Sequence, residues 1–299
     1  MKLRRTRSRE TGGFILIAVL WVLAALAALA ATYSVYVGNA AFATQVNDDR
    51  LRIESAIQSG VELTAYSLLA APTDARPPQG AFTARLKRSR INVSFVSEGA
   101  RIDLNAAPKG LLSGLFVAVG VSPEDAAAFA DRIVAWRTKA KAASQNLEAE
   151  AYRQAGYAYS PRQGPFQNVL ELPLVLGIPP YLVERILPFV TVYNGAAQFD
   201  VRVAPPEVLA ALPNVTPEQL QALLQQRAKN STDGPGLLKL LGTAGAGANA
   251  KTGPATRIEL QVRLDNGRVA RAEVVILVVE KDDEPFRVLS WREDSDGPI

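Results

Sequence analysis

Residues 14–31 read FILIAVLWVLAALAALAA, eighteen apolar residues in succession without a charge. As a helix this stretch covers ~27 Å, close to the ~30 Å hydrocarbon core of a bilayer. Thr32–Gly38 (TYSVYVG) extends it with mild polarity and puts two tyrosines where interfacial anchors belong. Ahead of it, MKLRRTRSRETGG carries Lys2, Arg4, Arg5, Arg7 and Arg9 against a single acid, Glu10. A basic flank before a first span holds that end in the cytoplasm, so the rest of the chain is expected across the membrane. A secretory signal peptide also starts basic, but its apolar region is only ~7–15 residues and ends in a small-residue cleavage site. Here the run is longer and Gly12-Gly13 precede it, so a permanent anchor is expected, with a signal peptide as the alternative.

The 299 residues suffice for a membrane helix and one or two domains with a core. The formal charge of +4 comes entirely from residues 1–13; the remainder has 28 basic and 28 acidic residues and is neutral. The high pI therefore reports topology, and nucleic-acid binding gains nothing from it. With no His and no Cys, zinc sites of Cys/His type, thiol nucleophiles and Ser-His-Asp triads are excluded. No acid, base and nucleophile stand together, and no enzymatic activity is expected.

Residues 39–71 continue as helix, with Ile53, Ile57, Val61, Thr64 and Leu68 at spacings of three and four on one apolar face. Pro72 ends it, which predicts one helix over 14–71, roughly 87 Å long, with a membrane anchor followed by a separate soluble helix as the alternative. Residues 81–87 and 90–97 alternate as half-buried strands, and RIDLN (101–105) reads as another. Two helical stretches follow around Gly120-Val121, the second capped by Ser122-Pro123. Residues 200–227 repeat the scheme, with Thr216-Pro217 as the cap. Such units resemble helix-hairpin-helix elements, but neither turn carries the glycines and basic cluster that gripping a phosphate requires. LGTAGAGANAKTGP (241–254) reads as a flexible linker. Residues 256–264 and 268–280 are strands joined at Asp265-Asn266-Gly267, and 288–292 closes the set.

A basic leader ending in Gly13, then Phe14 and an apolar helix, resembles the class III leader of type IV pilins and type II secretion pseudopilins. The resemblance implies prepilin-peptidase cleavage between Gly13 and Phe14 and methylation of the new amino terminus. Most such subunits carry glutamate as the fifth mature residue; here that residue is Ala18, which in this family marks the minor pseudopilin K (GspK). A lipid-buried carboxylate is costly unless paired, and a subunit with none ahead of it lacks the partner. Leu104-Asn105-Ala106, RIVAWR (132–137), FQNVLEL (166–172) and FVTV (189–192) fall in the family's order.

The resemblance implies an α+β fold: a long pilin-type helix on an antiparallel sheet, with a large inserted α-helical domain of two helix-hairpin-helix or SAM-like repeats. The expected divisions are a cleaved leader 1–13, a membrane part 14–38, helix and first strands 39–105, the insertion 106–240, a linker 241–255 and closing strands 256–299. It implies a structural subunit at the tip of the periplasmic pseudopilus that helps to start assembly and exoprotein secretion. The inner membrane would hold it by a single pass, amino terminus in the cytoplasm. Expected partners are minor pseudopilins of the I, J and H types, the major pseudopilin, the prepilin peptidase and the inner-membrane platform, with association along Ile53, Ile57, Val61 and Leu68. The alternative is a membrane-anchored nucleic-acid binder, or another type IV pilus-like minor pilin, using the helical repeats. Family members carry an acidic, calcium-type loop after the WR motif; residues 138–146 (TKAKAASQN) lack it, leaving Glu148 and Glu150 as weak Ca²⁺ ligands.

Overall fold

The computed structural model describes residues 12–139, 145–230, 232–279 and 284–295. Residues 1–11 of the expected leader 1–13 and residues 140–144 of the expected calcium loop lie outside the described residues. The chain divides into two compact units, Met1–Ser55 and Ala56–Ile299.

In the first unit the described residues belong to helix α1, Gly12–Leu69, which continues into the second. It contains no proline, and its apolar side chains from Ile15 to Leu51 are exposed, Leu16 and Trp21 by 69% and 72%. This helix is long and apolar enough to cross a membrane. Thr32 and Thr44 donate their hydroxyls to the carbonyls of Leu29 and Ala40, both at 2.9 Å, which satisfies them inside the helix. Beyond, Arg50 pairs with Glu54 at 2.9 Å on the solvated side.

The second unit is built on a five-stranded antiparallel sheet. Its strands are β1 (Gln79–Leu86), β2 (Ser89–Ser97), β7 (Ala255–Leu264), β8 (Val269–Val278) and β9 (Phe286–Ser295), in the order β1-β2-β7-β8-β9. Numbers β3 to β6 are short strands of the insertion: β3 (Ile102–Asp103), β4 (Val190–Thr191), β5 (Phe199–Asp200) and β6 (Ala248–Asn249). Along β2 the side chains alternate, with Ile91, Val93 and Phe95 buried and Arg90, Asn92 and Ser94 exposed. The last turns of α1 lie on the buried face. Gly60 allows the approach: a Cβ there would stand 2.4 Å from Leu260 Cδ2 and 3.5 Å from Ile91 and Val93. Arg76 then turns back and donates its Nε to the Leu68 carbonyl at 3.0 Å, closing the helix end.

Between Ser97 and Ala255, which end paired neighbours β2 and β7, the chain makes an insertion with its own core. Its helices are α2 (Lys109–Ala118), α3 (Pro123–Arg137), α4 (Gln145–Gln154), α5 (Pro180–Ile186), α6 (Pro206–Ala210), α7 (Pro217–Lys229) and α8 (Gly234–Leu241). Two strand–helix corners are held by the same bonds. Asp103 Oδ1 accepts from Asn105 N at 2.7 Å, and Arg137 donates to the carbonyls of Leu104 and Ala107. Ninety-seven residues on from Asp103, Asp200 Oδ1 accepts from Arg202 N at 3.0 Å, and Arg227 donates to Val201 and Ala204. The two halves meet without a gap: a Cβ on Gly114 in α2 would stand 2.0 Å from the Ala211 carbonyl oxygen after α6.

Two expectations change here. RIDLN does not join the large sheet; Ile102 and Asp103 pair parallel with Val190 and Thr191, because the chain has already turned at Glu98–Ala100 into the insertion. Nor is 241–254 a flexible linker. Residues Gly242–Gly247 form a short 3-10 helix, Ala244 and Ala248 are buried, and β6 pairs parallel with β5. Small residues signalled close packing there, not freedom.

Candidate functional site: the root of the insertion and the outer sheet

The insertion leaves and re-enters the sheet through one polar cluster. Glu98, with no exposed surface, is the first residue after β2, and Arg257 lies opposite on β7 with 7% of its surface exposed. Arg257 Nε donates to Glu98 Oε1 at 2.7 Å, Arg101 Nη1 donates to the same oxygen at 2.9 Å, and the Thr191 hydroxyl donates to the other carboxylate oxygen. Arg257 reaches on to Glu273 at 2.5 Å, which Arg292 also meets at 2.5 Å. Ser97 Oγ accepts from Gly99 N at 3.1 Å and from Gly253 N at 3.2 Å, clasping the two chain ends together.

Charges are kept here because they are paired. Burial opposes the positive charge on Arg257, but the bonds and charges of Glu98 and Glu273 outweigh it, so its guanidinium is held above its ordinary range. Burial likewise opposes ionisation of Glu273, and Arg257 and Arg292 overcome it, leaving its carboxyl below the usual value. On Arg101 burial prevails over Glu98 and lowers the pKa. Burial also raises Asp103, against backbone donors from Gly195, Asn105 and Ala106. A buried carboxylate and guanidinium held this way lock the geometry of the insertion's root.

The outer face of the sheet is an open groove of about 1050 Å³, lined by Thr83, Asn92, Glu259, Gln261, Glu273 and Arg292 among others. Below it in the insertion, Asn105 explains the Leu-Asn-Ala motif: its amide donates to the Phe166 carbonyl at 3.0 Å and accepts from Phe166 N at 2.7 Å. This fixes Phe166 against Trp136, rings 6.0 Å apart.

Of the residues singled out in the sequence, Gly13 and Phe14 lie in the first turns of α1, and Ala18 is exposed on that helix. Ile53 lies in the helix of the first unit. The expected assembly face is corrected: Ile57, Val61 and Leu68 are 0%, 0% and 1% exposed, filled by the chain's own core, and are closed to a partner. Three-and-four spacing marks a half-buried helix whatever covers it. The outward side of the same turns carries Leu63 and Tyr66, 42% and 74% exposed. Glu148 meets Arg132 at 3.3 Å and Glu150 meets Arg153, so both carboxylates have cationic partners. Among the described residues no group of three or more acids stands together. Sequence reasoning missed the Glu98–Arg257 pair, for which alternation along 90–97 gave no signal.

A long apolar amino-terminal helix whose last turns lie on an antiparallel sheet, with a helical insertion grown from two neighbouring strands, makes an α+β fold. Residues 89–195, from β2 to just past β4, match the model of the family described as type II secretion system (T2SS), protein K. Over that third of the chain the protein is similar to a component of the type II secretion apparatus. A chain in the crystal structure of the GspK-GspI-GspJ complex from the enterotoxigenic Escherichia coli type 2 secretion system has a TM-score of 0.63 at 16% identity. The match covers 85% of this chain and 99% of that one, and speaks for a common fold. No curated protein sequence matches.

Proposed function

We propose that the chain is the tip subunit of a periplasmic pseudopilus, and that it helps to start the filament and so supports exoprotein secretion. The observation that carries this reading is the protein K match over 89–195, the stretch in which the insertion departs from the sheet. In this reading α1 is a single-pass anchor in the inner membrane, amino terminus in the cytoplasm, and prepilin peptidase cuts between Gly13 and Phe14. Ala18 leaves no carboxylate in the lipid, which suits a subunit with none above it. The solved complex joins GspK to GspI and GspJ, and by analogy minor pseudopilins of those types are the partners here. H-type and major pseudopilins and the secretion platform complete the set. Association runs over exposed surfaces such as Leu63 and Tyr66, since the opposite stripe is occupied. No cofactor or catalysis enters the role.

The test is co-expression of the full chain with I- and J-type pseudopilins and a prepilin peptidase, followed by co-purification and mass spectrometry. A complex containing a chain that starts at N-methylated Phe14 is expected. Recovery of the chain alone, starting at Met1, would overturn the reading.

A further inference from the structure

One end of the outer sheet face concentrates positive charge. Arg85 on β1 stands opposite Arg90 on β2, and Arg90 opposite Arg263 on β7, so three guanidiniums form a row across three strands. All three are exposed, as are Lys87 and Arg88 in the β1–β2 turn, where Lys87 takes φ 42°. Among the described residues none of these five side chains has a carboxylate partner. Asp265, in the adjoining turn, accepts nothing from them and is tied to Arg88 only through its backbone N–H, at 3.1 Å from the Arg88 carbonyl.

Adjacent strands are ~4.8 Å apart, and like charges directly opposite one another destabilise a sheet. An edge strand does use a charge to repel unwanted pairing, which accounts for Arg85 on β1. It does not account for Arg90 and Arg263, which are on interior strands and have both edges paired. Outside residues 1–13 the chain is neutral, so this row is a local arrangement and not an overspill of net charge.

We propose that the row Arg85, Arg90 and Arg263, with Lys87 and Arg88, docks a protein segment bearing clustered carboxylates. Guanidinium forks match carboxylates two bonds at a time. The row begins at β1, whose outer edge is unpaired among the described residues, so an extended acidic segment added there can pair its backbone with β1 and bring its carboxylates first to Arg85 and the Lys87-Arg88 turn. A lipid headgroup offers the charge without the backbone. The proposal is independent of the tip assignment.

Poly-L-glutamate serves as the probe, with the full chain in neutral-detergent micelles and affinity measured at several salt concentrations. The parent is expected to bind with salt-sensitive affinity. The triple variant Arg85→Gln, Arg90→Gln, Arg263→Gln should lose at least tenfold while melting at the same or a higher temperature, since the repulsion is gone. A control with Lys229→Gln and Lys239→Gln, exposed cations of the insertion, should bind as the parent does. No binding by the parent, or equal binding by the triple variant, would overturn the proposal. So would binding to phosphatidylglycerol–phosphatidylcholine vesicles that the triple variant loses while its hold on polyglutamate is unchanged; the row would then be a lipid site.

Discussion

Arg257 and Arg263 stand on the same face of β7, six residues and roughly 20 Å apart, and live in opposite surroundings. Arg257 is almost wholly buried and bonded to two glutamates. Arg263 is exposed and faces another arginine. One strand thus carries a charge that holds the protein's own parts together and a charge with no internal employment. A guanidinium removed from water must be paired, so Arg257 implies Glu98; a guanidinium left in water obliges nothing within the chain. The first group fixes where the insertion is rooted, and the second is free to face outward.

The largest effect is expected at the buried end. Glu98→Ala removes the carboxylate that bonds both Arg101 and Arg257, and takes the acceptor from the Thr191 hydroxyl. Breaking a buried pair from one side costs ~3–5 kcal/mol; Glu273 still serves Arg257, so about 3 kcal/mol of unfolding free energy is expected to be lost. Urea unfolding of the chain in detergent, followed by far-UV circular dichroism, measures it. A loss under ~1 kcal/mol would mean the root is held by the strand pairing alone and the contrast between the two arginines is empty.

Glu273 is intermediate, buried on one side and shared with the exposed Arg292. Its folded-state pKa is lowered, so the stability it supplies is present above the unfolded value near ~4.3 and disappears as pH falls through the folded one. Glu273→Gln is expected to cost roughly 1.5 kcal/mol at pH 7, as for bonds to charged groups. Below about pH 4 the parent and variant should converge. Melting temperatures from pH 7 to pH 3 check the sign: a gap that widens in acid would reverse the assignment.

How much of this contrast is visible in the sequence depends on how far apart the interacting residues are. The apolar run, the Ser122 and Thr216 caps and the Asp265-Asn266-Gly267 turn are local, and each takes the form its residues suggest. Glu98 and Arg257 are 159 positions apart, and their pairing exists only because β2 and β7 close around the insertion. The arginine row likewise needs a register: Arg85, Arg90 and Arg263 align only when both strand pairings are known. The helix stripe failed differently. Its periodicity is real, but Ile57, Val61 and Leu68 are covered by the chain's own sheet, and a repeat of three and four residues cannot name what covers it.

The smallest effect, and of opposite sign, belongs to the middle of the row. Arg90 faces an arginine on each side, so Arg90→Thr removes two like-charge oppositions and places a residue suited to a strand. A gain of about 0.5 kcal/mol is expected, from ~0.2–1 kcal/mol for a cross-strand pair in exposed surroundings. Because the repulsion acts through water it should fade as the Debye length shortens from ~10 Å at 0.1 M salt to ~3 Å at 1 M. The propensity gain would not. Thermal unfolding of parent and variant at both salt concentrations separates the two: a difference that shrinks in salt marks unrelieved repulsion in the folded protein. An unchanged difference would mean that the row carries no electrostatic strain and that its charges need no partner.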